Sequence, residues 1–145
     1  MKIGKSALAV LLAMVAGCAA AGWQPLSDRI YHNNYAFYDL KISWETVRDT
    51  TAVTISGILK NQSYYYLREP ELTATLLDAE GNFVAEGTYF FFPSRLALDE
   101  TAPFTIRIPL GQEQALDRIR FTYRYRPAEE GRHGSPRFHS FEAKP

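Results

Sequence analysis

The 145 residues contain one cysteine, at position 18. No disulfide can therefore form within the chain, and there is no CxxC redox pair or cysteine zinc cage, so core burial alone must hold the fold. Histidine is nearly as scarce. His32, His133 and His139 are the three present, and none lies in HExxH or at i, i+4 from another. His133 and His139 could face each other across a loop, but no further ligand can be named. There is no glycine-rich phosphate loop, and Ser27, Ser94 and Ser135 sit in no nucleophile-elbow context. Glu45, Glu69 and Glu71 show no arrangement that would set two carboxyls at unequal pKa, as glycoside hydrolysis requires. These absences point to a non-enzymatic protein with no metal and no cofactor. Charge of one sign is missing too. Sixteen basic residues face sixteen acidic ones, which removes the global electrostatic case for nucleic acid. The longest apolar run, Leu8 to Val15, falls short of the ~20 residues that span a bilayer.

That run has another use. Lys2 and Lys5 precede it and small residues close it, the layout of a secretory signal peptide. Its end, Val15-Ala16-Gly17-Cys18, resembles the bacterial lipobox. The resemblance implies that cleavage falls before Cys18, that its sulfur carries a lipid and that its new amino group is acylated. Two or more acyl chains hold a protein on a membrane stably, whereas one is marginal. The competing expectation is an ordinary signal peptide cut near Ala19-Ala20-Ala21, which would discard Cys18. Ala19, with no Asp after the cysteine, is similar to lipoproteins sorted to the outer membrane of Gram-negative bacteria. That likeness implies a lipid-anchored envelope protein, on the periplasmic face of the outer membrane if the host has one. The expected layout is a signal peptide over 1–17, the lipidated cysteine and a short tether over 18–34, and one domain over 35–145. Trp23 in the tether suits either the membrane interface or the domain edge. Removing residues 1–17 leaves 128 residues, with 14 basic and 16 acidic, which suits a single domain with a sizeable core.

Nine Tyr, nine Phe and two Trp favour sheet, and the apolar pattern has period 2 almost throughout. His32-Asn33-Asn34 reads as a loop. Tyr35–Arg48 reads as the first strand region, with Leu40, Ile42 and Trp44 on one face. Thr51–Lys60 follows, with Val53, Ile55, Gly57 and Leu59 inward. Gly57 there marks a bulge, a close approach or a small core residue. Tyr64–Leu67 reads as a loop or short edge strand, because Pro70 blocks a central ladder position. Glu71–Asp78, with Leu72, Ala74 and Leu76 inward, turns at Asp78–Asn82 into Phe83–Phe92, which Gly87 could kink. Residues 93–100 cross between sheets to a strand carrying Phe104, Ile106 and Ile108. Gly111–Asp117 could form a short helical turn. Arg118–Arg126 alternates most clearly, with Ile119, Phe121, Tyr123 and Tyr125 inward. Pro127–Pro136 reads as a loop, and Arg137–Ala143 as a last strand burying Phe138 and Phe141. The sum is an all-β chain of about seven mostly antiparallel strands, a β-sandwich with a small barrel as its rival.

Three segments carry a family resemblance. Val53-Thr54-Ile55-Ser56-Gly57-Ile58-Leu59-Lys60-Asn61 resembles the V-x-V-x-G-x-V-x-N strand of FxLYD-type and related extracytoplasmic domains. Leu76-Leu77-Asp78-Ala79-Glu80-Gly81 is similar to their L-x-D-x-x-G hairpin. Leu98-Asp99-Glu100-Thr101-Ala102-Pro103-Phe104 resembles their L-x-P-G-E-x-x-x-F segment, with Asp99 and Glu100 standing where Pro-Gly would be. The likeness spans about residues 37–110. It implies an immunoglobulin-like β-sandwich and carries over no catalytic residue.

Two surface features remain. Arg118, Arg120, Arg124 and Arg126 share one strand face, which suits either an anion-facing ridge or a solvent face whose arginines pair with neighbouring carboxylates. Tyr64, Tyr65 and Tyr66, with Tyr89, Phe90, Phe91 and Phe92, are too many consecutive aromatics for one buried face. They suit a patch for a partner protein or stacked glycan, or rings packed at the sandwich rim. The expectation is an envelope-anchored binding or structural module, its partner a protein or a glycan and not a nucleic acid. The alternative is a small-ligand or polysaccharide binder that uses an aromatic or arginine-rich face.

Overall fold

The computed structural model describes residues 31–145 apart from positions 112, 130 and 131, together with the side chains of Arg132 and His133. The signal peptide, Cys18, Ala19, Trp23 and most of the tether lie outside the described residues, as does the His133 side chain. Among the described residues there are ten strands and no helix: β1 (Asn33–Phe37), β2 (Leu40–Arg48), β3 (Ala52–Asn61), β4 (Tyr66–Leu77), β5 (Phe83–Phe90), β6 (Arg95–Leu96), β7 (Thr101–Pro109), β8 (Arg118–Glu129), β9 (Arg132–His133) and β10 (Arg137–Ala143).

One sheet has the order β1-β2-β3-β7. The other has β10-β8-β4-β5, with β6 and β9 paired onto β4 and β8. Every pairing is antiparallel. With β2, β3 and β7 as strands A, B and E, and β10, β8, β4 and β5 as G, F, C and C′, this is the strand order of an immunoglobulin-like sandwich. β1 is an added edge outside strand A. The inward rows meet as expected: Leu40, Ile42 and Trp44, Val53, Ile55 and Leu59, and Phe104, Ile106 and Ile108 from the first sheet, against Leu72, Ala74 and Leu76, and Ile119, Phe121, Tyr123 and Tyr125 from the second.

Gly57 serves a close approach. The ladders on both sides of it keep their register, and a Cβ there would collide with the Ser43 carbonyl oxygen and come within 2.8 Å of the Phe104 ring.

Several elements differ from the pattern-based expectation. Asn33 and Asn34 belong to β1, and the expected first strand is a hairpin that turns at Tyr38 and Asp39. Tyr66 begins a central strand that runs through Pro70. The β4–β8 register shifts between Arg68 and Glu71, Glu69 takes a left-handed φ of 49°, and Glu69 N and Pro70 O bond Ser94 O and Phe91 N at 2.8 and 3.2 Å. A bulge thus spares the ladder the missing donor of Pro70. Of the expected Gly111–Asp117 helical turn a single bonded turn is present, Gln114 N to Gly111 O at 3.3 Å, with no helix among the described residues. The expected Pro127–Pro136 loop is partly strand, because β8 continues to Glu129 and β9 folds back on it. Phe138 is exposed. The inward phase of β10 is His139, Phe141 and Ala143, and period 2 cannot bury Phe138 and Phe141 together.

Candidate functional site

β1 and β10 are each one edge strand of the two sheets, and their side chains close one open flank of the sandwich by stacking ring on ring. Tyr35 lies on Phe141 with centroids 3.8 Å apart, and Phe37 lies on His139 at 3.9 Å. The Tyr35 hydroxyl and His139 Nε2 share a 2.8 Å hydrogen bond. Behind them Phe121 stacks on Phe141 at 5.1 Å, and Trp44 tilts against Phe121 at 4.8 Å.

At the β1–β2 turn this stack opens into a cleft of about 430 Å³. Its lining comprises Phe37, Tyr38 and Asp39 at the β1–β2 turn, Tyr123 and Tyr125 of β8, and Pro136 to His139 at the start of β10; Arg137 and His139 share the inward phase of their partners Tyr125 and Tyr123, and Phe138, opposite Arg124, takes the outer phase. The two-residue turn from Phe37 to Leu40 holds Tyr38 at a φ of 45°. A bulky residue tolerates that left-handed region only under constraint, and here it sets the Tyr38 ring edge-on to Phe37, 4.5 Å away, and open to solvent.

The polar groups of the cleft form one network. Tyr125 Oη donates to Asp39 Oδ2. Arg137 Nη1 donates to the same oxygen at 3.0 Å and to the Tyr65 hydroxyl at 2.6 Å. The Asp39 side chain is only 15% exposed, so its charge is held by these donors rather than by water. Burial first, and the Asp39 carboxylate second, push the Tyr65 hydroxyl up to about 12. The same two causes push Tyr125 well above the usual phenol range, and burial does so for Tyr123. All three tyrosines thus stay protonated at neutral pH and keep a hydroxyl proton to donate.

The aromatic runs singled out in the sequence are divided among different places. Tyr64 is exposed, Tyr65 joins the Asp39–Arg137 network, and Tyr66 lies under the Arg95 guanidinium at 3.5 Å. Tyr89 and Phe91 turn inward, where Phe91 is buried and meets Phe104 at 6.1 Å. Phe90 and Phe92 point out. Each arginine of the stripe has a carboxylate partner. Arg118 and Arg120 share Glu142 at 3.0 and 2.8 Å, Arg124 meets Glu71 at 3.5 Å, and Arg126 meets Glu69 at 3.3 Å. A smaller concavity of about 300 Å³ at the Pro70 bulge does bring Phe90 and Phe91 beside Arg124 and Arg126. Among the described residues no three His, Cys, Asp or Glu side chains gather closely enough to hold a metal ion.

The cleft itself was not legible in the sequence. Its walls are about a hundred residues apart, and neither Phe37-Tyr38-Asp39 nor Arg137-Phe138-His139 is a motif. A weak signal existed in Tyr-Asp at a strand break with no glycine, which leaves a large ring at the tip of a tight turn.

No family model and no curated protein matches the sequence. Among solved structures, the chain is similar to a crystal structure of the yeast GGA1 GAE domain, at 13% identity and a TM-score of 0.47, over 76% of this chain and 94% of that one. It is also similar to part of a β-glucuronidase of glycoside hydrolase family 2, at 11% identity and a TM-score of 0.38, over 70% of this chain and 11% of the enzyme. Both are likenesses of strand arrangement alone, and the assignment of the fold rests on the sheet order given above.

Proposed function

We propose that this chain is a non-enzymatic binding module of the bacterial envelope, tethered through a lipid on Cys18, and that the β1–β10 cleft receives its partner. The observation that carries the binding role is the cleft. It sets exposed aromatic rings beside a fixed Asp39–Tyr125–Arg137 network, the mixture of apolar wall and few oriented polar groups that marks ligand sites. The lipobox-like Val15-Ala16-Gly17-Cys18 supports the tether. Both the outer-membrane address suggested by Ala19 and the absence of a cofactor other than the covalent lipid belong to the same proposal. The cleft takes precedence over the Tyr64–Tyr66 and Tyr89–Phe92 runs as partner site, because those runs are divided among core, stack and solvent. It also takes precedence over the arginine stripe, whose charges are paired on their own sheet.

Two measurements test this reading. With the native leader, Cys18→Ser moves the protein from the membrane fraction to the soluble fraction and abolishes incorporation of labelled palmitate. A wild-type chain that is soluble and unlabelled would overturn the anchor. In pull-downs from native envelope, Tyr38→Ala loses the co-purifying partner, whereas Phe90→Ala and Phe92→Ala retain it. Unchanged recovery with Tyr38→Ala would overturn the cleft as the partner site.

A further inference from the structure

Large exposed side chains gather at one end of the sandwich. Tyr38, Tyr64, Phe92 and Leu98 lie in the connections there, Phe90 closes β5 and Phe138 lies at the start of β10. Hydrogen bonds tie these segments together: Gln62 N to Asp39 O at 2.7 Å, Asp99 N to Asn61 O at 2.9 Å, Glu69 N to Ser94 O at 2.8 Å, and Arg137 Nη1 to the Tyr65 hydroxyl at 2.6 Å. Phe138 and Phe90 also belong to one cross-strand row, Phe138–Arg124–Glu71–Phe90, on the outer face of the second sheet. Tyr64 is 96% and Phe92 94% exposed, so no part of the described chain covers them.

The opposite end has the reverse chemistry. Its connections, residues 49–51, 78–82 and 110–117, carry Asp49, Asp78, Glu80, Glu113 and Asp117 and no lysine or arginine. Arg107 and Arg118 reach Asp49 and Asp117 from the adjoining strands. At the aromatic end the charges find partners on the spot: Arg95 lies over Tyr66, Arg126 meets Glu69, and Arg137 meets Asp39. A surface of anionic lipid headgroups therefore repels the first of these ends and not the second. Exposed rings suit the zone between headgroups and acyl chains, where one side of a ring is apolar and the other wet.

We propose that the aromatic end seats on the bilayer surface, with Tyr64, Phe90, Phe92 and Phe138 entering the headgroup zone and the acidic connections facing away. This rests on the lipid tether at Cys18 and adds the orientation that the tethered domain takes. Fifteen residues lead from Cys18 to Asn33, a span of at most about 50 Å. From Asn33, β1 runs toward the aromatic end, where Phe37 stacks on His139. The anchor holds the domain near the bilayer at high effective concentration, so a few rings suffice to orient it.

The test uses the full lipidated chain in vesicles of phosphatidylethanolamine and phosphatidylglycerol. Cys18 is the only cysteine, and a lipidated sulfur takes up no maleimide, so one introduced cysteine is labelled alone. An environment-sensitive fluorophore is placed through Ser94→Cys at the aromatic end or Glu80→Cys at the acidic end, with spin-labelled lipids as quenchers. The Ser94→Cys probe is blue-shifted and quenched, and the Glu80→Cys probe is neither. Adding Tyr64→Ser/Phe92→Ser abolishes that difference while the melting temperature holds. Equal quenching at the two ends, quenching at Glu80→Cys alone, or a difference that survives the serine pair would overturn the proposal. So would an unquenched Ser94→Cys probe together with loss of a co-purifying protein from the serine pair, which would give this end to a protein partner. Labelling of the wild-type chain would show a free Cys18 thiol and overturn the tether itself.

Discussion

Asn61 shows how much one buried amide can organise. It closes the V-x-V-x-G-x-V-x-N segment and has no exposed surface. Its Nδ2 donates to Tyr65 O at 2.8 Å and Leu96 O at 3.1 Å, and its Oδ1 accepts from Ser63 N at 2.8 Å and Ser63 Oγ at 2.6 Å. Its backbone joins the Glu100 and Asp99 segment at 3.0 and 2.9 Å. Replacing it with Ala removes these four bonds, although Tyr65 O keeps the Ser63 hydroxyl at 3.0 Å, so Asn61→Ala should cost about 2–3 kcal/mol in urea unfolding. The sequence showed Asn61 as the end of a strand and as part of a resemblance. Its bonding reaches segments 35 residues away, at Leu96, which no local pattern reports. Asp99 explains the departure from the expected Pro-Gly: it sits at a φ of 58°, a left-handed position that Asp tolerates better than most residues, and its carboxylate meets Lys60 at 3.1 Å.

At the scale of elements, strands with one apolar face were legible because period 2 is local, and turns were legible where a side chain ties its own backbone. Asp49 accepts from Thr51 N at 2.6 Å and Ala52 N at 2.9 Å to close the β2–β3 connection. Asp78 accepts from Asn82 Nδ2 at 3.0 Å and from Asn82 N at 2.7 Å in the β4–β5 hairpin. These bonds hold both carboxyls below their usual value of 3.8. The hydrogen bond from Arg120, and then the charge of Arg118, do the same for Glu142 below 4.5. Folded values that are depressed contribute stability above the unfolded values and lose it as pH falls through the folded ones. The urea midpoint should therefore hold from pH 7 to about 5 and decline below about 4, and the decline should be shallower in an Asp49→Asn/Asp78→Asn variant. An unchanged acid slope in that variant would show that the turns do not carry it. The arginine stripe adds little, because exposed pairs contribute about 0–1 kcal/mol. What the element scale could not show was phase at β10 and continuity at β4. The aromatics of β10 occupy both faces, and a bulge makes Pro70 compatible with a central strand.

For the whole molecule, class and sheet count followed from one-sided strands that must cover each other. Strand order did not, because pairings such as β3 with β7 and β4 with β8 join distant segments. The close packing this produces makes a sharp contrast between two glycines. Gly57→Ala drives a methyl into the Ser43 carbonyl and the Phe104 ring, whereas at Gly111 the nearest atom is 3.8 Å away. Thermal unfolding should show Gly57→Ala destabilised by about 2–3 kcal/mol or more and Gly111→Ala within about 0.5 kcal/mol of wild type.

The ring-on-ring flank between β1 and β10 also sets an order in time. Its two halves, Tyr35 with Phe37 and His139 with Phe141, are separated by about a hundred residues. As the chain is made from its N-terminus, β2, β3 and β7 can pair before residues 137–143 have emerged, but the flank cannot close. The cleft is therefore the last part of the domain to come into being, because Arg137 and His139 join it only when the final strand has been made.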